Sequence, residues 1–240
     1  MNVLLADTST QILSIALLTE NTYEERLIDG NFSHSEDLLP EIEALIKRSC
    51  IKLQDLELLI VAKGPGSFTG LRIGMASMKG LASALAIPLV SVPTLDAISE
   101  VVGIYPGAIL SVIDAKKKRF YLSMKKNGET IIPDRDGNAE DVIPYLKKEE
   151  MPVLVTGPDA LLFCENIAKI DEAIALRPDP EAPRNIAKAL LALGLEKYRT
   201  KGPDDIGEGP VYIRRSDAEE ALEKRMMERK ENEKEKHSEV

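Results

Sequence analysis

The chain has 240 residues, a formal net charge of -9, 44 % hydrophobic residues and only 4 % aromatics, with no Trp. That length suits one large or two small domains around an aliphatic core, and the acidic balance argues against a broad nucleic-acid footprint, which needs a basic excess. Two distant cysteines, Cys50 and Cys164, give neither a metal knuckle nor a disulfide framework; with no basic leader and no apolar run near the roughly 20 residues that span a bilayer, a reducing cytoplasm is the expected compartment.

Residues 2–6 and 12–18 are apolar runs on either side of the polar Asp7-Thr8-Ser9-Thr10, which predicts two strands joined by a turn. A third strand is expected over 23–28. Ser33 and Glu36 have the spacing of a capping box, and Leu38, Leu39, Ile42, Leu45 and Ile46 then recur at helical spacing, so 33–49 reads as an amphipathic helix. A buried strand over 57–62 is broken by Gly64-Pro65-Gly66-Ser67-Phe68. A second helix over 69–86 and a strand over 87–92 follow.

The pattern then restarts. Residues 108–113 form an apolar run ending in Asp114, a basic turn Lys116-Lys117-Lys118 follows, and 120–124 reads as the return strand. Asn127-Gly128 is a strong hairpin signal. Val3-Leu4-Leu5-Ala6-Asp7 and Ser111-Val112-Ile113-Asp114 open the two halves alike, as in a duplicated unit. A strand over 153–156, helices over 160–169 and 183–198, and an extended piece over 210–214 complete the reading. From Ser216 the chain is dense in charge, with a narrow apolar stripe that ends at Met227. The division expected is 1–102 for the first lobe, 103–215 for a smaller second lobe, and 216–240 for a charged C-terminal helix and tail.

Three features carry the chemistry. Asp7, beside Thr8 and Ser9, either holds a metal-bound water near a phosphate or caps a polar turn. The segment from Gly64 to Gly74 is neither a Walker A loop, since Leu71 and Arg72 stand where Lys and Ser or Thr belong, nor a dinucleotide fingerprint, since Thr69 replaces the third glycine. Gly70 and Gly74 instead lie on one face of a helix, continued by Ser77 and Leu81. Glycine inside a helix costs about 1 kcal/mol against alanine, so close approach by another element must compensate. That element is either the protein's own sheet or a second molecule. Finally, the only histidines are His34 and His237, too few for a two-histidine metal site or a serine triad, and there is no GxSxG elbow.

Several segments together resemble bacterial TsaB, the tRNA threonylcarbamoyladenosine biosynthesis partner family, once filed with glycoproteases. They are Ala6-Asp7-Thr8-Ser9, His34-Ser35-Glu36 with Leu38-Leu39-Pro40, Gly64 through Gly74, Lys79-Gly80-Leu81-Ala82, Thr94-Leu95-Asp96-Ala97 and Pro210-Val211-Tyr212-Ile213-Arg214. The resemblance implies an α/β, actin-like fold (the sugar kinase and Hsp70 type) of two similar lobes with mixed sheets flanked by helices. It implies a non-catalytic partner of TsaD in forming threonylcarbamoyl-adenosine beside the anticodon, a self-paired homodimer when TsaD is absent, and a TsaE ATPase joining the assembly. The tRNA is reached only indirectly and no membrane is involved. The chain itself needs no cofactor or metal, although ATP or ADP can bind within the complex and Asp7 with Thr8 forms a vestigial phosphate hairpin. The metal-holding histidine pair of TsaD falls on Thr94 and Ile98 here, which makes the chain a pseudo-enzyme. The docking surface expected is His34, Leu38, Leu39, Ile42, Gly70, Arg72, Gly74, Ser77, Met78 and Leu81. The rival reading is an actin-like nucleotide-binding enzyme, of kinase or metalloprotease type, with a degenerate site.

Overall fold

The computed structural model describes residues 1–29, 34–182 and 185–214. The expected partner in the capping box, Ser33, and the charged segment 216–240 lie outside the described residues. In chain order the elements are β1 (Val3–Asp7), β2 (Ile12–Leu18), β3 (Tyr23–Asp29), α1 (His34–Arg48), β4 (Leu58–Ala62), α2 (Phe68–Leu85), β5 (Leu89–Val92) and α3 (Thr94–Val102). The second half supplies β6 (Ala108–Lys116), β7 (Arg119–Lys126), β8 (Glu129–Asn138), α4 (Ile143–Leu146), β9 (Val153–Thr156), α5 (Ala160–Ile170), β10 (Leu176–Pro178) and α6 (Ala187–Lys201).

Each half makes a five-stranded sheet, ordered β3-β2-β1-β4-β5 and β10-β9-β6-β7-β8. In both, the first three strands are antiparallel and the fourth and fifth run parallel to the first. The two sheets therefore share one topology, the repeated unit of the actin-like fold. Parallel strands need a helical crossover, and α2 and α5 supply it at the same place in each half.

Sheet one buries both faces, which is why β1 and β4 read as continuous apolar runs rather than alternating ones. Leu4, Ala6, Leu59 and Val61 face α1 and α2. Val3, Leu5, Leu58 and Ile60 face α3 and α6 on the other side, in a cluster that also takes in Ile113 of the second sheet. Helix α6, from the second half of the sequence, thus packs on the first sheet, and α3 touches β6, β7 and β9 of the second. The sequence halves and the packed units differ. A third cluster joins the outer face of sheet two to α5, with Phe120 and Phe163 edge to face at 5.1 Å.

Elements α3, β8, α4 and β10 have no counterpart among the sequence expectations. Helix α3 buries Thr94, Leu95, Ala97, Ile98 and Ser99 and leaves Glu100 and Val101 exposed, so it is amphipathic, but its nine residues are too few turns for the pattern to stand out in the sequence. Strand β8 contains Pro133-Asp134-Arg135-Asp136, a polar run no β pattern predicts; it lies at the edge of its sheet, where proline is tolerated. Residues 210–214, expected as an extended piece, run as an irregular strap held to the first half by Val211 N–H donating to Lys63 O at 2.8 Å. Among the described residues no helix is long and apolar enough to cross a membrane.

Candidate functional site

The turn after β1 is where the sequence placed a phosphate hairpin. Asp7, Thr8 and Ser9 are all buried there. Thr8 Oγ1 donates to Gly70 O at 2.7 Å, Ser67 N–H donates to Ser9 O at 2.7 Å, and Ser9 N–H donates to Asp7 Oδ1 at 2.8 Å. His34 Nε2 sits 2.9 Å from Thr10 O. Burial pushes the Asp7 carboxyl above its usual range, and hydrogen bonding from Ser9 pulls against that shift.

The glycines explain the seal. A Cβ built on Gly66 would overlap Ser9 O, one on Gly70 would overlap Thr8 O, and one on Gly74 would overlap Thr8 Oγ1. The element that approaches the glycine face of α2 is therefore the chain's own first hairpin, not a second molecule. Thr8 Oγ1, the Ser9 N–H and the Ser9 carbonyl are engaged inside the chain, while the buried Ser9 Oγ has no partner among the described residues.

The equivalent turn of the second half is built differently. Asp114 at the end of β6 is paired with Lys116 Nζ at 2.8 Å, and its own N–H donates to Asp159 Oδ2 at 2.7 Å. Burial, then the nearby Asp114, raises the Asp159 carboxyl. No glycine follows Asp114 to let the backbone wrap an anion.

Helices α1 and α2 lie side by side on the outer face of sheet one, and their residues sort cleanly. His34, Leu38, Ile42, Gly70, Gly74 and Met78, all expected at the docking surface, point inward and are buried. The reason is the sheet: its apolar strands need a cover, and these residues provide it. Ser77 and Leu81 are half-buried along the seam. What remains outside is Leu39, 50 % exposed, Arg72, and a line of small residues, Ala76, Gly80 and Ala84, that continues Arg72 at every fourth position. A Cβ at Gly80 would meet nothing within 4 Å. The spacing 72, 76, 80, 84 was legible in the sequence but was masked by the more conspicuous glycines at 70 and 74.

The strap borders this face. Lys79 Nζ donates to Ile206 O at 2.6 Å and also to Glu208 O. Asp204 N–H donates to Leu89 O at 2.9 Å, its carboxylate takes the Ser91 N–H at 2.7 Å, and it is ion-paired with Lys197. This covers the exposed edge of β5. At the far end Tyr212 stacks on Phe68 with ring centroids 4.5 Å apart, and Arg72 Nε donates to Tyr212 Oη at 3.0 Å. Elsewhere, Thr94 and Ile98 are buried on α3. Among the described residues no three His, Cys, Asp or Glu side chains converge as a metal cluster would require.

Comparison with known proteins agrees with this architecture. The family model of TsaD, tRNA N6-adenosine threonylcarbamoyltransferase, matches residues 31–192. The TsaB protein of Bacillus subtilis (strain 168), named for tRNA threonylcarbamoyladenosine biosynthesis, is 34 % identical over 231 residues, covering 91 % of this chain and 96 % of that protein. Its namesake from Escherichia coli (strain K12) is 30 % identical over 156 residues, covering 64 % and 68 %. Among solved structures, YeaZ from Pseudomonas aeruginosa superposes with a TM-score of 0.69 at 24 % identity, covering 88 % of this chain and 99 % of that one. The ethanolamine utilization protein EutJ from Carboxydothermus hydrogenoformans shares the fold at a TM-score of 0.51 and 13 % identity, covering 81 % and 90 %. With a sealed first hairpin, a duplicated actin-like topology and near full-length identity of this order, the chain belongs to the TsaB family.

Proposed function

We propose that this chain is a non-catalytic partner in the synthesis of threonylcarbamoyl-adenosine in tRNA, and that it acts by docking its α1–α2 face onto a TsaD-type enzyme. The observation that carries the reading is the outer surface of α2. Arg72, Ala76, Gly80 and Ala84 form an exposed line on α2, and Leu39 of the adjoining α1 is half exposed. Small residues let another helix approach closely, and burying an apolar side chain such as Leu39 contributes about 1–2 kcal/mol. The inward glycines hold α2 in place while its outward side stays flat. In the absence of the enzyme the same face pairs with itself. A TsaE-type ATPase joins the assembly, tRNA is held by the catalytic partner, and any ATP or ADP binds elsewhere in the complex. The sealed Asp7–Ser9 turn and the apolar Ile98 support a role without chemistry of its own, in the cytoplasm where tRNA is modified.

Light scattering on size-exclusion peaks tests this with the chain alone, with the TsaD-type paralogue of its own organism, and with a Leu39→Glu, Gly80→Arg double variant. Both substituted positions are exposed, so the variant keeps its fold. A homodimer that converts to a heterodimer, with both lost in the variant, is the expected result. A wild-type chain indifferent to the paralogue sinks the proposal.

A further inference from the structure

Arg72 is held in an unusual way for a surface arginine. Its guanidinium carbon lies 4.0 Å from the centroid of the Phe68 ring and 5.6 Å from that of Tyr212. Its Nε is already used by the Tyr212 hydroxyl. Tyr212 is itself fixed, because the strap that carries it is tied to Lys63 by Val211 and to Lys79 by Ile206 and Glu208. Arg26, Arg48, Arg119 and Arg135 each have a carboxylate partner. Among the described residues Arg72 has none, and its two terminal nitrogens make no hydrogen bond there.

An arginine stacked against aromatic rings and pinned at Nε has lost most of its rotamer freedom before anything binds. Its terminal nitrogens form a planar fork that matches a carboxylate with two parallel hydrogen bonds. Because the ordering cost is met in the free protein, more of the pairing energy appears as affinity. We propose that Arg72, clamped by Phe68 and Tyr212, is a preformed receptor for an aspartate or glutamate side chain of the protein that docks on the α1–α2 face. The inference rests on the docking reading above and adds the chemistry of its contact. The carboxylate sits at the end of the line formed by Ala76 and Gly80, where a partner lying along α2 meets the strap. The strap thereby becomes part of the interface, although it lies more than a hundred residues away in sequence.

Calorimetric titration of the TsaD-type paralogue into wild type, Arg72→Gln, Arg72→Lys and Tyr212→Phe tests this. Arg72→Gln is expected to weaken the heterodimer by about 30-fold. Arg72→Lys keeps the charge but loses the fork and weakens it by about tenfold. Tyr212→Phe keeps the ring but frees Nε, for a loss of about threefold. Carbodiimide coupling of the Arg72→Lys variant to its partner, followed by peptide mapping, is expected to find a partner Asp or Glu joined to position 72. If wild type binds the paralogue and Arg72→Gln binds it equally well, this inference falls and the docking reading stands. If Arg72→Gln leaves the heterodimer intact but weakens capture of tRNA by the complex, the anion is a phosphate and the inference is equally overturned. If wild type does not bind the paralogue, both fall together.

Discussion

In the first sheet the hairpin leaving β1 is long, with residues 8–11 between its strands, and it folds back beneath α2. In the second, Lys116 pairs with Arg119, so only Lys117 and Lys118 connect β6 to β7. The helix after the fourth strand differs in the same sense: α2 has 18 residues and α5 has 11. Shared topology therefore fixes where a turn and a helix meet, but not what they do there. In the first half the hairpin packs directly on the glycines of α2, and the helix gains a close-packed inner side and an exposed outer one of small residues. In the second half the turn is held at its base, where the Asp114 N–H donates to Asp159 and Arg214 Nη1 donates to Ala115 O, and its carboxylate is answered by a lysine of the same turn.

The largest effects test the tight junction. Alanine at Gly70 or Gly74 would drive a methyl into Thr8, and each is expected to lose about 2–4 kcal/mol of stability in urea unfolding. Gly157, in the turn between β9 and α5, has φ 112 and its Cβ direction blocked by Val112 O, and should be as intolerant. Gly80, on the outer side of the same helix as Gly70, is the control. Alanine there meets open space and should gain about 0.5–1 kcal/mol. Equal midpoints for the Gly70 and Gly80 variants would mean that the hairpin is not sealed by α2.

Thr8→Val sharpens the same point with less force. Valine keeps the shape of threonine and removes only the bond to Gly70 O, for an expected loss of about 1–2 kcal/mol. Loss of nucleotide binding on this substitution, rather than loss of stability, would return the turn to the phosphate role that its sequence suggests.

That contrast also shows how far the sequence could be read. Glycines at 70 and 74 announce that something approaches α2, and this much follows from helix propensity alone. The spacing is the same whether the visitor is the chain's own Thr8 or a second protein, so only the fold decides. Leu38 and Leu39 pose the same difficulty. Adjacent leucines cannot both face the sheet, and the choice depends on the rotation of α1, which puts Leu38 in the core and leaves Leu39 half exposed. Strands β1 and β4 were plain because a doubly covered strand is apolar throughout. Strand β8 was hidden because its edge position lets it carry charge, and α3 because nine residues give its apolar face too few turns to stand out. The partnership of Arg72 with Tyr212 joins residues 140 positions apart, which no local pattern encodes.

Where the halves meet, Asp134 of β8 gives a smaller effect with a definite pH dependence. Burial, then the charge of Asp96 on α3, pushes its carboxyl from an ordinary 3.8 up to about 6, against the pull of Ser123, Lys125 and Lys63. The raised value means that the folded state holds this proton more tightly than the unfolded state does. Stability from this group is therefore greatest below its ordinary value, declines as pH rises towards about 6, and is level above that. Asp134→Asn should raise stability by about 1 kcal/mol at neutral pH, allowing for partial exposure, and by nothing measurable in acid. A gain that is the same at both pH values would place the effect in packing rather than charge.

The smallest effect separates the two turns of the second sheet. Asn127-Gly128 links β7 to β8 with φ of 52 and 81, the residues this two-residue turn favours. Lys117-Lys118 links β6 to β7 with φ of 55 and 63, the same backbone made from residues that resist it. Lys118→Gly should therefore gain about 0.5 kcal/mol, the relief of the left-handed strain less the entropy glycine adds to the unfolded chain. Gly128→Lys should move stability the other way by about 1 kcal/mol. Opposite signs in thermal unfolding would show that strand pairing dictates both turns and that their residues only modulate the strain. A loss at Lys118→Gly would instead mean that the lysine side chain holds the open hairpin in place, and the second half would then have a counterpart to the seal of the first.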